Sequence, residues 1–302
     1  MNSYFPKQKK NCRSLFPAFP VALPPIVSDR FLYVSSALNN TVEIYNIINP
    51  TNPVLVGKFN TGILSFPSGL AITGNILYVA NQVKNKIEIY NIINPTAPMH
   101  VGGFNAGNLN SPDQLAITGN FLYAANGGDS TVEIYNISNP ISPVRIGELN
   151  GTNLNVPSGM AITNAILYVG NTGNNTVAIY NISNPMSPLH VGEFNGGNLN
   201  IPAGLATTGN ILYVANAGDN TIEIYNISNP IDPIRIRAFD EGNLNAPAVL
   251  AITGTTLYVA NAFGNNVTIY DISNPIIPIP AGEFNGANLN FPNGLAVFTL
   301  FS

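Results

Sequence analysis

Residues 202–233 read PAGLATTGNILYVANAGDNTIEIYNISNPIDP. Gly204 to Thr208 is a short apolar run stopped by Gly209-Asn210, a pair that suits a tight hairpin turn. Ile211 to Ala215 follows at once, and Asn216 to Asn220 supplies a second turn. Thr221 to Ile227 is rich in β-branched and aromatic residues, which favour strands. Pro230 and Pro233 then break the run, because proline cannot donate to a strand ladder. Ile234 to Phe239 makes a fourth strand. A polar loop over Asp240 to Ala246 leads to Pro247, where the pattern starts again. No stretch carries the long 3.6-residue periodicity that a helical repeat needs.

The unit recurs without slippage. Tyr33, Tyr78, Tyr123, Tyr168, Tyr213 and Tyr258 each follow a leucine, and successive tyrosines are 45 residues apart. A period of about 40–45 residues with several short strands is that of a propeller blade. The second strand of each copy is apolar at successive positions (Ile211, Leu212, Val214 and Ala215 in the quoted copy), so both its faces must be covered. Leu64, Leu109, Leu154, Leu199, Leu244 and Leu289 recur inside otherwise polar loops, placed to plug the seams between blades. A lone four-stranded sheet cannot bury two faces, so neighbours are required. The expected fold is all-β: a six-bladed β-propeller with four antiparallel strands per blade. Six copies run from near Pro24 to near Phe291. Gly294 to Phe301 then restarts a first strand, and this segment is expected to close the ring against the first blade, displacing or supplementing Ile26-Val27. The domain reading is a tail over 1–23 and one propeller over 24–302.

Composition narrows the partners. Charged residues make up 9% of the 302 residues and the net charge is −4, so no basic face for nucleic acid is expected. No apolar run reaches the ~20 residues that span a bilayer as a helix. Lys7, Lys9, Lys10 and Arg13 precede an apolar stretch from Leu15 to Leu23, the order of a secretory signal. Pro17 and Pro20 interrupt it and no small-x-small cleavage site follows, so it reads as a tail, and the compartment stays open between cytoplasm and cell surface. The single cysteine, Cys12, cannot form an intrachain disulfide and reads as a free thiol.

The repeated segment Pro-x-Gly-Leu-Ala-Ile-Thr-Gly-Asn-x-Leu-Tyr-Val-Ala-Asn resembles the NHL-repeat propellers, and its Leu-Tyr-Val-Ala-Asn core is similar to the YVTN group. The segments Ile134 to Pro143, Ile179 to Pro188 and Ile224 to Pro233 resemble the LVIVD repeat of bacterial propellers. The resemblance runs from Pro24 to Leu295 and implies the propeller fold. Such families include protein-binding modules, cell-surface proteins and a few enzymes, so fold likeness does not choose among them.

In that arrangement two loop types reach one mouth of the channel. Asn81, Asn126, Asn171, Asn216 and Asn261 end the second strands there, with Ser36 at the equivalent place in the first copy. Together with Asp113 they are the candidate ligand-binding residues, since like amides round a mouth can bond a glycan, a peptide backbone or a polar small molecule. The competing reading is that each amide caps its own turn, and recurrence in nearly every copy weighs toward it. Asp113 departs from the pattern: the other copies carry Ser68, Ser158, Ala203, Ala248 and Asn293. Asp129 and Asp219 lie in the neighbouring loop type. His100, Arg145, His190 and Arg235 share one position in the outermost strands and read as edge protection. Glu43, Glu88, Glu133 and Glu223 fall mid-strand in the third strands and read as exposed strand charge. There is no phosphate loop, nucleophile elbow, Cys/His cluster or HExxH.

The expected function is therefore a non-enzymatic binding or scaffold propeller, monomeric and without cofactor, engaging a protein or a glycan through its Asn-rich loop face. The alternative is a calcium-assisted hydrolase resembling the propeller lactonases, with Asp113 and the mouth asparagines as ligands. A third reading is a surface protein whose ring is only a spacer.

Overall fold

The structure is a computed structural model that describes residue 1 and residues 29–60, 62–105, 108–241, 243–286 and 289–300. Ile26-Val27 and the tail, with Cys12, lie outside the described residues. Each 45-residue unit folds as a four-stranded antiparallel sheet, its strands following chain order from the channel outward. Blade 2 is β4 (Pro67–Thr73), β5 (Ile76–Asn81), β6 (Lys86–Asn91) and β7 (Met99–Phe104). Blade 3 is β8 (Pro112–Thr118), β9 (Phe121–Asn126), β10 (Thr131–Asn136) and β11 (Val144–Leu149). Blade 4 is β12 (Pro157–Thr163), β13 (Ile166–Asn171), β14 (Thr176–Asn181) and β15 (Leu189–Phe194). Blade 5 is β16 (Pro202–Thr208), β17 (Ile211–Asn216), β18 (Thr221–Asn226) and β19 (Ile234–Phe239). Blade 6 is β20 (Pro247–Thr253), β21 (Thr256–Asn261), β22 (Asn266–Asp271) and β23 (Ile279–Phe284).

Blade 1 is the exception that closes the ring. Its β1 (Arg30–Ser36), β2 (Thr41–Asn46) and β3 (Val54–Phe59) come from the start of the described chain, and its innermost strand is β24 (Pro292–Thr299) from the end. Phe31 pairs with Phe298 and Val34 with Leu295 in antiparallel register. The innermost strands then neighbour one another all the way round, with β24 set between β20 and β4. Closure leaves blade 1 with the same four strands as the rest.

The core lies between blades. Ala71, Ile76, Tyr78 and Ile89 of blade 2 share one apolar cluster with Leu115, Leu122 and Tyr135 of blade 3. The cluster joining the two ends of the chain has Leu32, Val34 and Tyr45 of blade 1 against Tyr258, Val267 and Ile269 of blade 6. The six loop leucines are buried, and Leu109 and Leu289 sit inside these inter-blade clusters. Neighbouring innermost strands approach so closely that a Cβ on Gly69 would stand 2.4 Å from the Asp113 carbonyl oxygen. A side chain there would push the two blades apart.

The third-strand glutamates correct the sequence reading. Glu43, Glu88, Glu133 and Glu223 are buried, at 0–3% exposure. Three of them have a basic partner in the outermost strand: His100 Nε2 lies 2.9 Å from Glu88, Arg145 Nε 2.6 Å from Glu133 and Arg235 Nε 2.7 Å from Glu223, while Glu43 accepts from the Tyr45 hydroxyl. Burying a carboxylate is costly unless it is paired, and Arg145 and Arg235 supply the pair for Glu133 and Glu223. His100, Arg145 and Arg235 thus bind their own blade before they guard any edge; His190, whose copy has Ala178 in place of the glutamate, does not.

Candidate functional site

The mouth is built from two side-chain-to-backbone devices, the first present in blades 2 to 6 and the second at every junction between blades. The first is the asparagine that ends the second strand. Asn81 Oδ1 accepts from the Ser65 N–H at 2.7 Å, and its Nδ2 donates to the Ile63 carbonyl at 3.0 Å. Asn126, Asn171 and Asn216 do the same to the loops at Asn108–Asn110, Asn153–Asn155 and Asn198–Asn200. Asn261 accepts from Asn245 N–H and donates to Asn266 and Thr268. All five side chains are buried. Both functions of each amide are thus engaged within the blade, holding the loop that enters the innermost strand.

The second device clamps one blade to the next. Phe66, Ser111, Val156, Ile201, Ala246 and Phe291, each just before the proline that opens an innermost strand, have φ between 49° and 58°. Branched side chains rarely adopt this left-handed conformation, and it persists only where the surroundings fix it. Here the N–H of each is fixed by a side chain of the preceding blade, such as Asn40 Oδ1 on Phe66 at 2.7 Å and Asn265 Oδ1 on Phe291 at 2.8 Å. The backbone of the mouth is uniform, and the side chains carried on it are not.

Those side chains divide the mouth in two. Blades 6, 1 and 2 are neighbours once the ring closes, and their loops between second and third strands carry Phe263, Leu38 and Val83, exposed by 68%, 57% and 65%. The equivalent residues of blades 3, 4 and 5 are Gly128, Gly173 and Gly218, each followed by Asp129, Asn174 or Asp219. Phe66 and Phe291 add to the apolar arc: the Phe291 ring centroid lies 5.6 Å from that of Phe66 and 5.7 Å from that of Phe263. The arc borders a cavity of about 600 Å³ whose floor includes Asp113, Ser158, Ala203, Ala248 and Asn293.

Asp113 is the acid of that floor. Ser158 Oγ donates to its Oδ2 at 2.6 Å, and Asn293 Nδ2 donates to its Oδ1 at 3.3 Å from the closing strand. Burial pushes its pKa above the usual carboxylate range, while these two donors hold it partly down. Gln114, the next residue, donates to the Asn293 carbonyl at 2.9 Å, linking the innermost strands of blades 3 and 1. Asp129 and Asp219 do not join Asp113. Each is turned to asparagines of its own blade, Asp129 to Asn110 and Asn126, Asp219 to Asn200 and Asn216. Among the described residues no three His, Cys, Asp or Glu side chains come together as a metal site. Calcium takes 6–8 oxygen ligands, and the side-chain oxygens gathered at Asp113 are its own carboxylate and those of Ser158 and Asn293.

The structure thus brings Asp113 to the cavity and turns the five asparagines into its frame. Sequence reading missed the aromatic arc, Ser158 and Asn293. The signal was present in the residue before each proline, which changes from copy to copy while its neighbours repeat.

No curated protein matches this sequence. Among solved structures, a chain of the nidogen/laminin complex is similar at 16% identity, covering 89% of this chain and 98% of that one, with a TM-score of 0.68. A functionally unknown protein from Desulfotomaculum acetoxidans has 18% identity, 89% and 92% coverage and a TM-score of 0.62. A candidate 6-phosphogluconolactonase from Bacteroides fragilis has 12% identity, 90% and 98% coverage and a TM-score of 0.65. At these identities the likeness is one of fold. The LVIVD repeat model matches residues 26–61, 68–106, 111–150 and 248–285, just over half of the chain. With the Leu-Tyr and Asn-Pro segments of those repeats forming the blades described above, the chain belongs to the LVIVD-repeat family.

Proposed function

We propose that this chain is a non-enzymatic binding and scaffold propeller that engages a protein through its Asn-rich loop face. The observation that carries this reading is the two-sided mouth on an otherwise repeated ring. Apolar residues exposed on three adjacent blades are the kind of contiguous patch that marks an interaction surface. The rigid frame beneath them means little ordering entropy is lost on binding. A protein is supported over a glycan because the amides that would bond sugar hydroxyls are already engaged inside the blades.

The competing hydrolase reading needs a metal and an acid–base pair, and the floor offers one carboxylate. The test is turnover: the purified chain, with calcium, magnesium, manganese or zinc added, is expected to leave lactones and esters unchanged. Metal-dependent hydrolysis lost in Asp113→Ala would replace the binding reading with the hydrolase.

A further inference from the structure

The floor carboxylate and the aromatic arc belong to one cavity, and together they describe what enters it. Asp113 has two hydrogen-bond donors and no cation: no Lys, Arg or His forms an ion pair with it among the described residues. Glu133 and Glu223, by contrast, each have an arginine, and Glu43 accepts from the Tyr45 hydroxyl instead. Asp113 is partly buried and lines the cavity without a counter-ion of its own. Each Asp113 oxygen accepts one hydrogen bond and keeps a further lone pair. Above it stand Phe66, Phe291 and Phe263, whose ring faces attract a cation and whose edges suit an apolar stem. Leu38 and Val83 extend the apolar surface beyond the rim.

From this geometry we infer that the mouth takes a lysine side chain of the protein partner, its ammonium on Asp113 and its flanking apolar residues on the arc of blades 6, 1 and 2. This rests on the binding reading above and names its anchor. A lysine stem carries a compact charge on four methylenes, which matches a single carboxylate on the floor of a cavity bordered by aromatic rings. The chain's own net charge of −4 favours the approach of a basic segment.

Calorimetric titration of the full chain with the peptide N-acetyl-Leu-Lys-Phe-amide tests it. Saturable binding is expected. Acetylation of the peptide's lysine and the variant Asp113→Asn should each weaken it by about tenfold or more, the scale of a lost hydrogen bond to a charged group. Phe263→Ser, on an exposed loop where folding is not at stake, should weaken it by about threefold or more, from the lost cation–π and apolar contact. Retained affinity in Asp113→Asn or for the acetylated peptide would overturn the proposal. So would n-butylammonium binding as tightly as the peptide, which would make a free amine the ligand, or calcium alone displacing the peptide. No binding of any probe, with no ester or lactone turnover, overturns this anchor and leaves the binding reading standing. Metal-dependent turnover would remove that reading itself.

Discussion

The Tyr258 hydroxyl donates to the Pro50 carbonyl at 3.2 Å, joining blade 6 to blade 1 across 208 residues of chain. The same bond runs from Tyr33 to Pro95, Tyr78 to Pro140, Tyr168 to Pro230 and Tyr213 to Pro275, each 62 residues onward. It explains why a Leu-Tyr pair and an Asn-Pro turn recur together: the ring tyrosine of one blade satisfies the turn of the next. Tyr123 breaks the series, since its buried hydroxyl has no partner.

The six tyrosines therefore form a built-in control. Tyr213→Phe removes a buried donor and strands the Pro275 carbonyl, at a cost of about 1–3 kcal/mol. Tyr123→Phe removes a hydroxyl that bonds nothing and should be neutral or slightly stabilising. Denaturant midpoints of the two variants check this. Equal losses would mean that the hydroxyl-to-carbonyl bond contributes nothing beyond the ring.

The buried ion pairs predict an asymmetry between single and double substitution. Arg235→Leu leaves Glu223 buried without its cation, and breaking such a pair typically costs about 3–5 kcal/mol. Arg235 is itself more than one-third exposed, so solvent screening reduces the figure, and we expect about 2 kcal/mol. Blade 6 has Thr268 and Pro280 at these places and forms the same sheet. Adding Glu223→Thr to Arg235→Leu should therefore recover most of the loss. A double variant as unstable as the single one would show that the pair is not what makes the arginine matter.

These pairs also show where sequence reading stops. The 45-residue period identifies strands, blades and closure because those depend only on spacing and apolar pattern. It does not say which face a mid-strand charge takes. Glu223 faces Arg235 because the ladder between third and fourth strands slips by one residue at Ile224/Tyr225, and bulges leave no composition signal. The hint was the twelve-residue offset: copies with Glu88, Glu133 and Glu223 carry His100, Arg145 and Arg235 and Thr268 meets Pro280, though Glu43 with Leu55 and Ala178 with His190 blur it. Asp113 was legible as a departure from its repeat. The aromatic arc was legible only as single residues that vary between copies, because Phe66 and Phe263 come to flank Phe291 only after the ring closes and Phe66 takes a left-handed conformation.

Blade 1 has a repairable defect. Where the other blades have asparagine, blade 1 has Ser36, whose hydroxyl exchanges hydrogen bonds with Asn290. In blade 2, Asn81 Nδ2 reaches Glu88 at 3.4 Å, and in blade 3, Asn126 Nδ2 reaches Thr131 at 3.1 Å. In blade 1 the equivalent Thr41 hydroxyl and Glu43 Oε1 are buried without a partner. Ser36→Asn should supply that donor and stabilise the protein by about 1 kcal/mol, seen as a Tm rise of about 2 °C. Asn216→Ser, the reverse change in blade 5, should destabilise. A lower Tm for Ser36→Asn would mean the serine fits a blade geometry that asparagine cannot share.

Alkaline pH should unfold the ring cooperatively. Burial pushes Tyr78, Tyr123, Tyr168, Tyr180 and Tyr225 up to about 12, from a usual value of 10.0. The folded state thus favours the protonated phenol, and in the unfolded chain these groups ionise near pH 10. Their contribution to stability is complete below about pH 10 and is lost as pH rises toward about 12, because only the unfolded state then releases protons. Tyrosinate absorbance from these side chains should grow together with loss of the sheet circular-dichroism signal, in one transition between those limits. Since each second-strand tyrosine sits between two blades, ionising one opens a seam and exposes the next. Full tyrosinate absorbance near pH 10 with the sheet signal intact would mean that the phenols reach solvent without the ring opening, and the burial that holds the blades together would be wrong.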